Sequence, residues 1–171
     1  MPKRQTKSKK SSPLVAVTIV AAPKGIAAAW WQQVAQVVAQ TQKLHGEWQV
    51  SLVFVSAPKM KRLNRDYRGK DSVTDVLSFE DDNDFTPQSE RSLGEIIICT
   101  SRAKAQAAEY HHSLKAELTR LWVHGLAHVC GYEHEAVSAS VAKKMFKFER
   151  QVIEQLPISI AVEHTQEVKH A

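Results

Sequence analysis

The chain has 171 residues, 43% hydrophobic and 24% charged, with two cysteines and a formal net charge of +5. That length buries the core of one domain without disulfides, two cysteines in apolar surroundings favour a reducing compartment, and no apolar run is long enough for a membrane span. The positive charge does not belong to the body: Lys3, Arg4, Lys7, Lys9 and Lys10 account for all of the excess, so everything after Ser12 sums to zero.

The basic arm, residues 1–12, has two readings: a disordered tail that gains affinity for phosphates by releasing counterions, or a solubilising end. The apolar run after it, Leu14 to Ala22, also raises a signal peptide. It is short, rich in Val, Ile and Thr, and followed by Pro23-Lys24-Gly25, which favours a strand over Leu14 to Val20. Gly25 to Thr41 has helical periodicity, with Ile26, Trp30, Val34, Val37 and Val38 along one face. Trp48 to Ser56 alternates as a strand does, and Pro58 suits the first turn of a short helix running to Tyr67. Thr74 to Phe79 and Leu93 to Thr100 read as two more strands, separated by an acidic loop from Glu80 to Arg91. Ser101 to Tyr110, Leu114 to Cys130 and Ala136 to Leu156 read as helices, and residues 157–171 as a flexible tail. Early strands and later helices predict an α+β fold: one domain over residues 13–156, a small mixed sheet packed with five or six helices.

Within the penultimate helix, His124 and His128 stand four residues apart, which stacks two imidazoles on one face. Gly131 is suited to a left-handed helix end, and a reversal there can return His134 to the same ion. Three imidazoles leave one tetrahedral position for water or substrate, the arrangement of a catalytic metal rather than a structural one. Zinc is the expected ion, although three imidazoles also suit nickel, copper or iron. Such an ion activates a water or polarises a phosphate oxygen, and the pattern leaves both open. Cys130 projects away from the histidine arc and reads as a core thiol. Glu117 lies on that arc and has two readings, a carboxylate orienting a ligand histidine or a solvated helix-face residue. Leu114, Leu118, Leu121, Leu126 and Val129 form the apolar sector that would face the sheet.

Other residues carry weaker signals. Arg68, between Tyr67 and Lys70, can hold a phosphate bidentately or pair with Asp66 or Asp71 as a turn cation. Lys70 is a second candidate phosphate contact, and Asn64, Asp71, Thr74, Asp75 and Ser78 are candidates for lining or capping the cleft. Glu133 and Glu135 are candidate bases or surface carboxylates. Gly125 occupies the place where a zincin protease carries its glutamate base, which argues against peptide hydrolysis by that route. Trp30, Trp31, Trp48 and Trp122 read mainly as core, and His111-His112 as capping or exposed.

These residues resemble a family. HGLAHVCGYEH, His124 to His134, is similar to the HGxLHLxGYDH signature of the YbeY proteins, bacterial metal-dependent endoribonucleases of ribosomal RNA maturation and ribosome quality control. Ala127 departs from that signature, and Glu133 replaces its aspartate. LNRDYRGKDSVTDVLSF, Leu63 to Phe79, resembles LNxxYRxKDxPTDVLSFP, with Val73 and Glu80 in place of two prolines. LGEIIIC, Leu93 to Cys99, resembles LGDIxIC, and Glu117-Leu118 matches the EL before the histidines.

The resemblance implies a four-stranded sheet beside the metal helix and a cytoplasmic nuclease. Its expected partners are single-stranded RNA, ribosomal RNA and the small ribosomal subunit, with no membrane and no DNA specificity. It makes His124, His128 and His134 the metal ligands and Arg68, matching a functionally important arginine, the catalytic residue. Glu117, Lys70 and Glu133 become expected supporting or substrate-binding groups. The competing expectation is a small-subunit binding or assembly factor with a mainly structural metal.

Overall fold

The computed structural model describes residues 12–160 apart from Phe85, Glu135 and Ala136. The basic arm up to residue 11, the tail beyond Ile160 and the candidate base Glu135 therefore lie outside the described residues.

Four strands, β1 (Leu14–Val20), β2 (Glu47–Val55), β3 (Val76–Glu80) and β4 (Ser92–Cys99), form one sheet in the order β1-β2-β4-β3. The first three in that spatial order run parallel, and β3 pairs antiparallel with β4 at the edge, so the sheet is mixed. Five α-helices accompany it: α1 (Ala28–Thr41), α2 (Ala57–Arg68), α3 (Thr100–Glu109), α4 (Leu114–Val129) and α5 (Ala139–Ile153). A short 3-10 turn, Gln88–Glu90, interrupts the acidic loop before β4. The α+β expectation holds, element for element.

Alternation along the strands divides the core between the two faces of the sheet. Val50, Leu52 and Phe54 of β2 and Ile96 and Ile98 of β4 join the main cluster with α1, α4 and α5. Val55, Leu77, Ile97 and Cys99 point the other way and bury Met60 of α2. Helix α4 lies deepest: every residue from Ala116 to Ala127 is buried. Its close approach requires Gly125, since a Cβ there would sit 2.5 Å from Cγ2 of Ile96.

Three element starts moved from the expected positions. Helix α1 starts at Ala28, after Gly25 has taken φ +87°, and Ile26 packs on the core from outside the helix. Ser138 precedes α5, which starts at Ala139. Strand β3 starts at Val76 because the Asp75 carboxylate accepts from the Val76 N–H, closing a local turn. Both cysteines are free, Cys99 buried and Cys130 half-buried.

Candidate metal centre

Helix α4 begins cleanly, with Oγ of Ser113 accepting from the Ala116 N–H. Its end turns the chain back over itself. Gly131 takes φ +89°, its N–H donates to the His128 carbonyl at 2.8 Å, and the Tyr132 N–H returns to the Ala127 carbonyl at 3.1 Å. This is a Schellman ending, in which one left-handed residue satisfies two orphan carbonyls. The Tyr132 ring stacks on Phe148 of α5, with centroids 4.6 Å apart, and its hydroxyl donates to Gln42, so the reversal is anchored at both ends.

The reversal brings His134 to the other two imidazoles. One ligand atom from each of His124, His128 and His134 lies within 4.8 Å of the others, and the Nε2 atoms of His124 and His134 are 3.2 Å apart. Nitrogens bound tetrahedrally at 2.0–2.1 Å would be spaced by about 3.4 Å, so the donor set fits one transition-metal ion. His128 is pushed down to about 3, first by burial and then by the neighbouring imidazoles of His124 and His134, which keeps it neutral and able to ligate. Cys130 contributes no ligand. Burial, then the charge of Glu80, pushes its thiol up to about 12.

The carboxylate that reaches the cluster is not Glu117. Oε1 of Glu149, on α5, accepts from Nδ1 of His124 at 2.7 Å, leaving Nε2 to face the other histidines. Glu117 is fully buried and already engaged: Arg120 donates to it from Nε and Nη2, the latter at 2.6 Å, and Nε2 of His112 lies 2.6 Å away. Seven residues on a helix separate Glu117 from His124 by about 10 Å along the axis, beyond a carboxylate's reach, while Arg120 sits one turn away. His112, expected to cap the helix or to be exposed, is instead a largely buried partner of Glu117. Asp75 is buried too. Burial alone would raise its pKa, but the hydrogen bond from Gln106, then the charges of Arg120 and His124, hold it below the usual range.

A cleft of about 630 Å³ opens at His124 and His128, which share its lining with Glu133, Asn64, Tyr67, Arg68, Lys70, Thr74, Ser78 and Phe79; His134 is outside that lining. Arg68 is exposed, donates from Nη2 to the Ser78 carbonyl at 2.9 Å and lies over the Phe79 ring. The turn-cation alternative does not apply: Arg65 takes Asp66, and Lys61 takes Asp71. Glu133 is mostly exposed, its Oε2 3.9 Å from Nδ1 of His128, too long for a hydrogen bond. Lys70 is exposed at the cleft, and Asp71 lies outside its lining.

Residues 20–157 match the sequence profile of the family described as Endoribonuclease YbeY. The chain belongs to the YbeY family. An endoribonuclease YbeY of Staphylococcus carnosus is 38% identical over 132 residues, 73% of this chain and 85% of the relative. One of Spiroplasma citri is 39% identical over 134 residues, 75% of this chain and 81% of the relative. The Finegoldia magna protein reaches 54% identity over 87 residues, 51% of this chain and 56% of its own length. The solution structure of TM1509 from Thermotoga maritima superposes with a TM-score of 0.53 at 27% identity, covering 81% of this chain and 90% of that one. No helix among the described residues is long and apolar enough to cross a membrane.

Reasoning from spacing missed Glu149, His112 and Gln106. Glu149 and Gln106 reach partners 25 and 31 residues away, and His112 reaches Glu117 from the bend that precedes α4, so helical periodicity carries no signal for any of them.

Proposed function

We propose that this chain is a metal-dependent endoribonuclease that cuts single-stranded RNA in the maturation of the small-subunit ribosomal RNA 3′ end and in ribosome quality control. Zinc is the proposed ion, held by His124, His128 and His134. The observation that carries the reading is the sharing of one cleft by the three-imidazole cluster's His124 and His128 and by Arg68, a guanidinium without an ion pair among the described residues. Membership in a family of endoribonucleases supports the reaction class.

When bound, the ion supplies Lewis acidity toward a phosphate oxygen or an attacking water. Arg68 holds the phosphate by two N–H groups and stabilises the charge that develops on it, and Lys70 takes a neighbouring phosphate. Glu133, at the cleft mouth, is the candidate proton acceptor. Ser78 fixes Arg68 through its carbonyl, so the guanidinium is aimed before substrate arrives. His124 is only 5% exposed, so the reacting phosphate must reach down to it. A flexible single strand can do so more easily than a stiff duplex, which favours unpaired RNA.

The test is cleavage of a single-stranded RNA and its duplex at defined zinc content by wild type, His128→Ala and Arg68→Ala. Cleavage that follows zinc, disappears in the histidine variant and falls by roughly 100-fold or more in a zinc-loaded arginine variant supports the assignment. Equal cutting by all three proteins marks a contaminant and puts the ribosome-binding factor in its place.

A further inference from the structure

Tyr67 is 66% exposed, more than any other large hydrophobic side chain among the described residues, yet it is not loose. Its ring meets Phe79 edge-on, with centroids 5.2 Å apart and planes at 69°. The same Phe79 ring carries the Arg68 guanidinium, 5.7 Å from its centroid. The backbone beneath is equally fixed. Gly69 ends α2 in the left-handed region at φ +68°, and the buried Asn64 donates to the Ser72 carbonyl at 2.9 Å, tying the helix end to the loop that follows. Tyr67 and Phe79 both line the cleft that reaches His124 and His128.

An aromatic surface kept in water costs the chain burial it could have had. Its position identifies an occupant. Arg68, the next residue, suits a phosphate, and in a polynucleotide each phosphate lies beside a base. Glu80 and Glu133 in the same cleft oppose a polyanion, and Arg68 and Lys70 offset them.

We propose that Tyr67, buttressed by Phe79, is a stacking subsite for one nucleobase next to the phosphate held by Arg68. This rests on the RNA reading above and deepens it. Every base has a π-face, so the subsite accepts any of the four. A duplex hides both faces of its bases, so the subsite also selects unpaired strands.

The test uses short single-stranded RNAs carrying one 2-aminopurine, whose fluorescence is quenched by stacking, mixed with the zinc-loaded full chain by stopped flow and read before cleavage. Wild type is expected to quench the probe at one position. Tyr67→Ala and Tyr67→Leu are expected to lose that quench and bind roughly 5- to 100-fold more weakly, whereas Tyr67→Phe stays near wild type. An abasic nucleotide at that position should abolish the difference between wild type and Tyr67→Ala. Zinc content and melting temperature, measured in parallel, should not change, because the ring is exposed. Binding of RNA by Tyr67→Ala as tight as wild type overturns the subsite while leaving the nuclease reading intact. Full rescue by leucine also overturns it, since that would be apolar contact rather than stacking. A wild type that binds no RNA overturns the reading on which the subsite rests.

Discussion

Nδ1 of His124 lies 2.7 Å from Oε1 of Glu149, although the two residues are 25 apart in sequence and on different helices. The contact fixes the tautomer: with Nδ1–H given to the carboxylate, Nε2 is left with its lone pair able to ligate an ion. The second oxygen, Oε2, is buried without a hydrogen-bond partner among the described residues. Arg120 contributes a favourable field. The whole carboxylate is therefore committed to one imidazole. Removing it in Glu149→Ala should weaken metal binding by roughly 10- to 100-fold, as is usual when the outer partner of a ligand histidine is lost. Glu149→Gln keeps an acceptor and should recover most of that loss. Competition against a chromogenic chelator measures both. Unchanged affinity in a folded Glu149→Ala protein would show that His124 needs no support.

A second buried carboxylate, Glu117, lies inside α4. Glu117 meets Arg120 at 2.6 Å and His112 at 2.6 Å, and neither carboxylate nor guanidinium is open to water. A pair of this kind adds little net stability when intact, but losing one member strands the other charge. Glu117→Ala should therefore destabilise the fold by about 3–5 kcal/mol. The readout is the midpoint of a urea melt. A shift corresponding to under about 1 kcal/mol, the range of a surface pair, would sink the argument.

Legibility in the sequence tracked the range of the interaction. The histidine cluster was readable because its three imidazoles fall within eleven residues and depend on one helical turn and one left-handed glycine. The helices and strands were readable from apolar periodicity, except at ends such as that of α5, which starts at Ala139 rather than Ala136. Glu117 was misplaced because a spacing of seven marks a shared stripe but not a shared height along the axis. Glu149 had no signal at all. It is the one glutamate of α5, and nothing in that helix's sequence points it at His124 until α5 packs against α4. The strand order β1-β2-β4-β3 was equally silent, since pairing β4 between β2 and β3 is a tertiary choice.

Gly125 offers a test in which two physical effects oppose each other. It sits inside α4, where alanine is the better helix former by about 1 kcal/mol, so propensity alone predicts that Gly125→Ala stabilises. Packing predicts the reverse. The added Cβ would lie 2.5 Å from Cγ2 and 3.1 Å from Cγ1 of Ile96, and 3.2 Å from Oγ of Ser78. Ile96 is fully buried on β4, between β2 and β3, so it cannot swing into solvent as a flexible surface chain would. Forcing a methyl into such a core costs about 1–3 kcal/mol. Overpacking should win, with a net loss of up to about 2 kcal/mol in a chemical melt. The strain should also reach the adjacent His124 and loosen metal binding, which the same chelator competition would register. A Gly125→Ala protein about 1 kcal/mol more stable than wild type would show that α4 can lift from the sheet without cost, and the close approach would lose its explanation.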